Sequence, residues 1–122
     1  MRNNQELILI PKYQKYIEYV LNLILKLPRV EKFNIGNEYK SLMYENLRDV
    51  MYINKLPVDK RMYYLNKIDA DLNVQRIFLR IMNKNGWIDF KKFNVAMELI
   101  SEIGKILGGL IGHYGKNIKE RV

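Results

Sequence analysis

Apolar residues recur at spacings of three and four along nearly the whole chain, the period of an α-helix that buries one side. Three prolines and one Asn-Gly pair interrupt this rhythm and divide the 122 residues into four helix-period segments. After a short extended start at residues 7–10, Pro11 takes a first helical position that tolerates it, and Tyr13, Ile17, Val20, Ile24 and Leu27 mark one face of a helix over residues 12–27. Pro28 ends it, and residues 29–35 read as a connector. A second helix over residues 38–55 carries Tyr39, Met43, Leu47 and Val50 on one face with Leu42 and Met51 beside them, and Pro57 closes it. Asp59 is a suitable N-cap for a third helix, residues 60–84, which Asn85-Gly86 terminates; Asp89 caps a fourth, residues 90–113. No strand pattern competes.

Four helices joined by short loops define an all-α fold, most simply a single-domain, up-down-up-down four-helix bundle. The third helix carries more apolar surface than one neighbouring pair of helices usually demands. Leu65, Ile68, Leu72, Leu79 and Met82 form one stripe, and Ala70, Val74, Ile77, Phe78 and Ile81 a second, together an arc of roughly 200°. Either the surplus joins subunits, or a short bundle buries all of it.

The fourth helix raises the same question through its glycines. Gly104, Gly108 and Gly112 recur every fourth residue, with Gly109 beside them. Each interior glycine costs a helix about 1 kcal/mol relative to alanine. Close approach of another backbone to a strip without side chains would offset that, making the strip a packing or oligomer face. The alternative is a helix that frays into a glycine cap near Gly112 or Gly115, which leaves Gly104 unexplained.

Charge changes the picture next. Lys plus Arg number 21 against 13 Asp plus Glu, a net +8, so polyanions are the first partners to consider. Residues 1–58 hold nine basic and six acidic residues and residues 59–122 twelve and seven, so any positive patch has to be assembled by folding. Arg76, Arg80 and Lys84 stand four apart on the polar sector of the third helix, none with an acidic residue three or four positions before it. Lys91 and Lys92 follow one loop later, and Lys105 lies on the fourth helix. Such a surface attracts phosphates without reading bases. The alternatives are a solvated face or pairing with carboxylates of another helix. The nine tyrosines, with Trp87, could add stacking platforms, although most are spaced as core or rim residues.

Chemistry that would make an enzyme is thin. With no cysteine there is no thiolate nucleophile or zinc-thiolate site, in keeping with a reducing cytoplasm. The sole histidine, His113, lacks the carboxylate that a Glu-x-x-His metal motif would place at Leu110, and reads instead as a residue near a helix C-terminus. Asp69 and Asp71 point apart on one helix, and Glu98 with Glu102 read as a solvated pair near Lys105. No catalytic, metal or cofactor site is expected. The first residues lack a signal-peptide profile and no apolar run approaches a membrane span, so the expected location is cytoplasmic with no membrane contact.

Several of these stretches occur together in one known group. Leu72-Asn73-Val74-Gln75-Arg76-Ile77-Phe78-Leu79-Arg80, the turn Asn85-Gly86-Trp87-Ile88, and Ser101-Glu102-Ile103-Gly104-Lys105-Ile106-Leu107-Gly108-Gly109 resemble, in order and spacing, the small bundle proteins that include the accessory variability determinant (Avd) of diversity-generating retroelements. The group also contains proteins encoded in intervening sequences of large-subunit ribosomal RNA genes. Pro28-Arg29 with Phe33 and Ile35-Gly36-Asn37 matches its first connector, while Leu110 and Gly112 stand where members often carry a tryptophan and then a lysine. The resemblance implies a homopentameric barrel that binds nucleic acid, RNA or DNA, and a reverse transcriptase, without catalysis of its own. It extends to Arg76 and Arg80 and to the glycines at 104, 108 and 109. The ribosomal branch leaves open an oligomeric scaffold with no role in reverse transcription.

Overall fold

The computed structural model describes residues 4–121, with side chains for residues 8–116. The chain folds into four long helices, α1 (Asn4–Leu25), α3 (Ile35–Ile53), α4 (Val58–Lys84) and α5 (Phe90–Arg121), with a short α2 (Arg29–Phe33) in the first connection. Helix α1 packs on α3 and α5, and α4 on the same two, so consecutive long helices are neighbours in an antiparallel ring. α2 rests on α3. This is the up-down-up-down bundle that the short connections require.

The helix boundaries differ from the sequence reading in instructive places. α1 begins at Asn4, so residues 7–10 are helical and Pro11 lies inside the helix. Proline there removes one intrahelical hydrogen bond, but Leu9, Tyr13 and Tyr16, all buried, carry the helix's inner face through it. α1 ends at Leu25, and turn hydrogen bonds from Lys26 and Leu27 finish it. The connector contains α2, and α3 starts at Ile35 and stops at Ile53. Gly36 explains the early start: a Cβ there would lie 3.0 Å from Ile24 Cγ2 and 3.2 Å from the Glu31 carbonyl oxygen. A side chain there would have to displace these neighbours by a few tenths of an ångström.

α4 begins at Val58, with Pro57 at the N-cap position and Asp59 inside the first turn. Its end is a Schellman turn: the Trp87 amide donates to the Met82 carbonyl at 2.9 Å and the Gly86 amide to Asn83 at 3.1 Å, with Gly86 at φ +73°. Asp89 then caps α5, its Oδ1 accepting from the Lys92 amide at 2.8 Å. α5 runs unbroken past Gly112 and Gly115 to Arg121, which removes the alternative of a glycine cap.

The core holds a polar chain as well as aliphatic side chains. Tyr16, fully buried, donates to Gln75 Oε1 at 2.6 Å and so accepts from the Tyr39 hydroxyl, also at 2.6 Å. Gln75 Nε2 donates to Asn46 Oδ1 at 2.8 Å, and Asn46 Nδ2 to Asp71 Oδ2 at 2.7 Å. Lys67 closes the series between α3 and α4, its Nζ 2.6 Å from Asp49, 3.3 Å from Asp71 and 3.4 Å from Glu45. Every member is satisfied; among the described residues no buried side-chain polar atom lacks a partner. Burial pushes the Tyr13, Tyr16 and Tyr39 hydroxyls well above the ordinary tyrosine range. For Lys67, desolvation works against the charge, but hydrogen bonds and charges from Asp49 and Asp71 outweigh it and raise its pKa.

Candidate nucleic-acid interface

The first apolar stripe of α4 is core: Leu65, Ile68, Leu72, Leu79 and Met82 are completely buried. The second stripe is not. Of its members, Val74, Ile77 and Ile81 are exposed, as is Ala70, and only Phe78 is half-buried, against Tyr39. The surplus apolar surface is therefore not consumed within one subunit.

The row Arg76, Arg80, Lys84 climbs α4 in steps of one turn, with Arg76 half-buried and the other two exposed. Arg76 Nη1 donates to Asn73 Oδ1 at 2.6 Å. Its other terminal nitrogen lies over Gly104 of α5, 2.7 Å from where a Cβ would stand. Within this chain the space beside Gly104 is thus taken by a guanidinium. Among the described residues no carboxylate lies within ion-pairing distance of Arg76, Arg80 or Lys84. Positive charge on this flank is left for solvent or for a partner.

The other basic residues divide. Lys84, at the end of α4, and Lys91 and Lys92, at the start of α5, share one end of the bundle, joined by the Asn85–Asp89 loop. Lys91 is exposed, and Lys92 lies 3.8 Å from the Asp89 carboxylate that caps its own helix. Lys105 follows Gly104, over which the Arg76 guanidinium lies, and is exposed. It lines a shallow depression along α5 with Asn94, Met97, Glu98, Ser101 and Glu102. Glu102 pairs across to Lys12 of α1 at 3.0 Å, and that hydrogen bond holds its carboxyl below the usual range. Its main partner is therefore on another helix, not Lys105.

The glycines divide too. Around Gly108 and Gly112 a Cβ would meet no heavy atom within 4 Å, so both face open space; Gly109 is half-buried. His113 is exposed beside Tyr114 and precedes several further residues of α5, so it does not sit at the helix terminus.

Sequence reasoning missed the polar chain through Asn46 and Gln75. The signal was present: Asn46 falls three residues after Met43 and four before Val50, and Gln75 three after Leu72 and four before Leu79, both in core register. Among the described residues no group of His, Cys, Asp and Glu could hold a metal ion, and no helix is long and apolar enough to cross a membrane.

The fold and this flank define a class: a small antiparallel four-helix bundle with a cationic row that has no carboxylate partner among the described residues, beside a glycine-bearing helix face. A family model described as bAvd-like matches residues 7–114, nearly the whole chain. The protein belongs to the bAvd-like family. No curated protein matches the chain at a significant level.

Proposed function

We propose that this protein is a non-catalytic, nucleic-acid-binding accessory of a diversity-generating retroelement, which partners a reverse transcriptase in mutagenic complementary-DNA synthesis in the cytoplasm. It works as a cyclic homo-oligomer, a pentamer by family resemblance. The observation that carries the reading is the Arg76, Arg80, Lys84 row, which has no carboxylate within reach among the described residues, on a chain of net charge +8. A guanidinium pair one turn apart can engage successive phosphates and leaves base identity unread. Lys91 and Lys92 extend the field at the end of the bundle, and Lys105 contributes from α5.

The test is a salt titration of RNA binding. Replacing Arg76 and Arg80 by glutamine should weaken affinity at fixed salt and lower the slope of log affinity against log salt by about 1.4 for single strands, roughly 0.7 per phosphate contact. Unchanged affinity and slope would remove these residues from the interface. The exposed Val74, Ile77 and Ile81 favour protein contacts and keep a second reading in play, an oligomeric scaffold of the ribosomal intervening-sequence type. A parallel titration against purified reverse transcriptase separates the two, because the scaffold would bind neither RNA nor enzyme.

A further inference from the structure

Nine tyrosines are a large share of 122 residues, and the fold sorts them. Tyr13, Tyr16, Tyr39 and Tyr114 are buried, and Tyr19 and Tyr64 half-buried. The remaining three, Tyr44, Tyr52 and Tyr63, are exposed by 38, 49 and 70 %, and all three belong to α3 and the first turns of α4. Two of them are fixed by ring contacts. Tyr52 and Tyr63 each meet Tyr64 edge to face, with centroids 5.3 and 5.2 Å apart and interplanar angles of 82° and 85°. Such contacts hold both rings in place while much of their surface stays in water.

Cations interleave with these rings. Tyr44, Arg48 and Tyr52 follow one face of α3 at steps of four residues, Lys55 lies in the turn just past its end with its amide on the Tyr52 carbonyl, and Lys60 precedes Tyr63 and Tyr64 by one turn of α4. Arg48, Lys55 and Lys60 are exposed, and among the described residues no carboxylate lies within ion-pairing distance of them. The nearby acids of α3, Glu45 and Asp49, are already engaged by Lys67; Asp59, exposed in the first turn of α4, is an opposing charge at this end. Exposed tyrosine with Met51 would also suit a protein interface. Three cations among the rings select an anionic partner instead, and flat π faces between fixed positive charges suit stacked bases with their phosphates.

We propose that the Tyr44, Tyr52, Tyr63 surface is a second binding site, which takes unpaired bases of single-stranded RNA or DNA while Arg48, Lys55 and Lys60 hold the adjoining phosphates. The proposal rests on reading the chain as a nucleic-acid-binding protein, but it uses a different surface. Tyr64 packs on α3, so this site lies on the α3 side of α4, whereas Arg76 leans over α5. The two sites also differ in what they take. A row of guanidinium groups accepts phosphates of duplex or single strand, and a stacking surface requires bases free of a partner.

That difference supplies the experiment. Fluorescence anisotropy at fixed salt would compare unstructured single-stranded RNA and DNA with the matching duplexes. The proteins are wild type, Tyr52→Ala/Tyr63→Ala, Tyr52→Phe/Tyr63→Phe and Arg76→Gln/Arg80→Gln, each checked for helicity by circular dichroism. The alanine pair should weaken single-strand binding about tenfold or more and leave duplex binding within about twofold, the phenylalanine pair should behave as wild type, and the arginine pair should weaken both ligands. Equal losses for RNA and DNA, or a larger loss for one, both support the site and identify its ligand. If the alanine pair binds single strands as wild type does, or loses duplex binding equally, the site is overturned while nucleic-acid binding stands. Loss of reverse-transcriptase binding alone would assign the surface to a protein and overturn it too. Wild type binding neither ligand would sink this site together with the proposed function.

Discussion

At the scale of single residues, what a glycine faces decides what it does. Gly36 faces a methyl of Ile24 at 3.0 Å and the Glu31 carbonyl oxygen at 3.2 Å, measured from an added Cβ, and a backbone oxygen cannot step aside cheaply. Gly104 faces the far end of a flexible side chain, the Arg76 guanidinium, at 2.7 Å. Gly36→Ala should therefore destabilise the fold by about 1–3 kcal/mol, as overpacking does. Gly104→Ala should be neutral or stabilising by up to about 1 kcal/mol, because the guanidinium can swing away and alanine improves helix propensity. Urea denaturation of both variants checks the ranking, and the reverse order would mean that neither contact is as described. The Gly104 to Arg76 contact joins a glycine pattern and a cationic row that look unrelated along the chain.

At the scale of elements, the buried tyrosines of α1 and α3 make the bundle sensitive to alkali. Their hydroxyls stay protonated in the folded state well above the ordinary value near pH 10, whereas in the unfolded chain they ionise there. The folded state then holds more protons than the unfolded state, so this contribution to stability is complete below pH 10 and is lost as pH rises beyond it. Three such groups set a decline of up to about 4 kcal/mol per pH unit. Tyr13→Phe should make the decline shallower by roughly one proton's share, about 1.4 kcal/mol per pH unit; a wild-type stability that stays flat from pH 10 upward would contradict the burial of these hydroxyls. The helices themselves were legible in the sequence because Tyr13, Ile17, Val20 and Ile24, or Leu65, Ile68, Leu72 and Leu79, keep helical period and are buried. Pro11 and Gly112 misled because local propensity argues for an end at each, while packing of Leu9 and Tyr13, or of Leu110 and Tyr114, carries the helix on. Periodicity marked Val74, Ile77 and Ile81 as apolar without telling which neighbour would cover them, since that depends on how α3 and α5 lie against α4. The cationic row was legible for the opposite reason: it needs only spacing within one helix and no local acid.

At the scale of the whole molecule, charge opposes the proposed assembly. Five copies of a +8 chain would carry +40, and self-repulsion of that size resists a compact ring at low salt. Added salt should therefore strengthen the assembly, by screening like charges within a Debye length of about 10 Å at 0.1 M, while it releases nucleic acid. The proposed subunit contact can be tested without harming the bundle. Gly108 and Gly112 face open space within one chain, so the helix carries two glycines, each unfavourable by about 1 kcal/mol, with no gain visible inside the subunit. A Cβ at Gly108 meets no packed neighbour within 4 Å, so Gly108→Leu should keep full helicity. If a second subunit approaches this strip closely, the same leucine separates the backbones and light scattering should show a smaller particle. A Gly108→Leu protein that retains the wild-type mass would move the interface away from the glycines and toward other uncovered apolar surface, such as Val74, Ile77 and Ile81 of α4, where Ile77→Glu is the corresponding substitution.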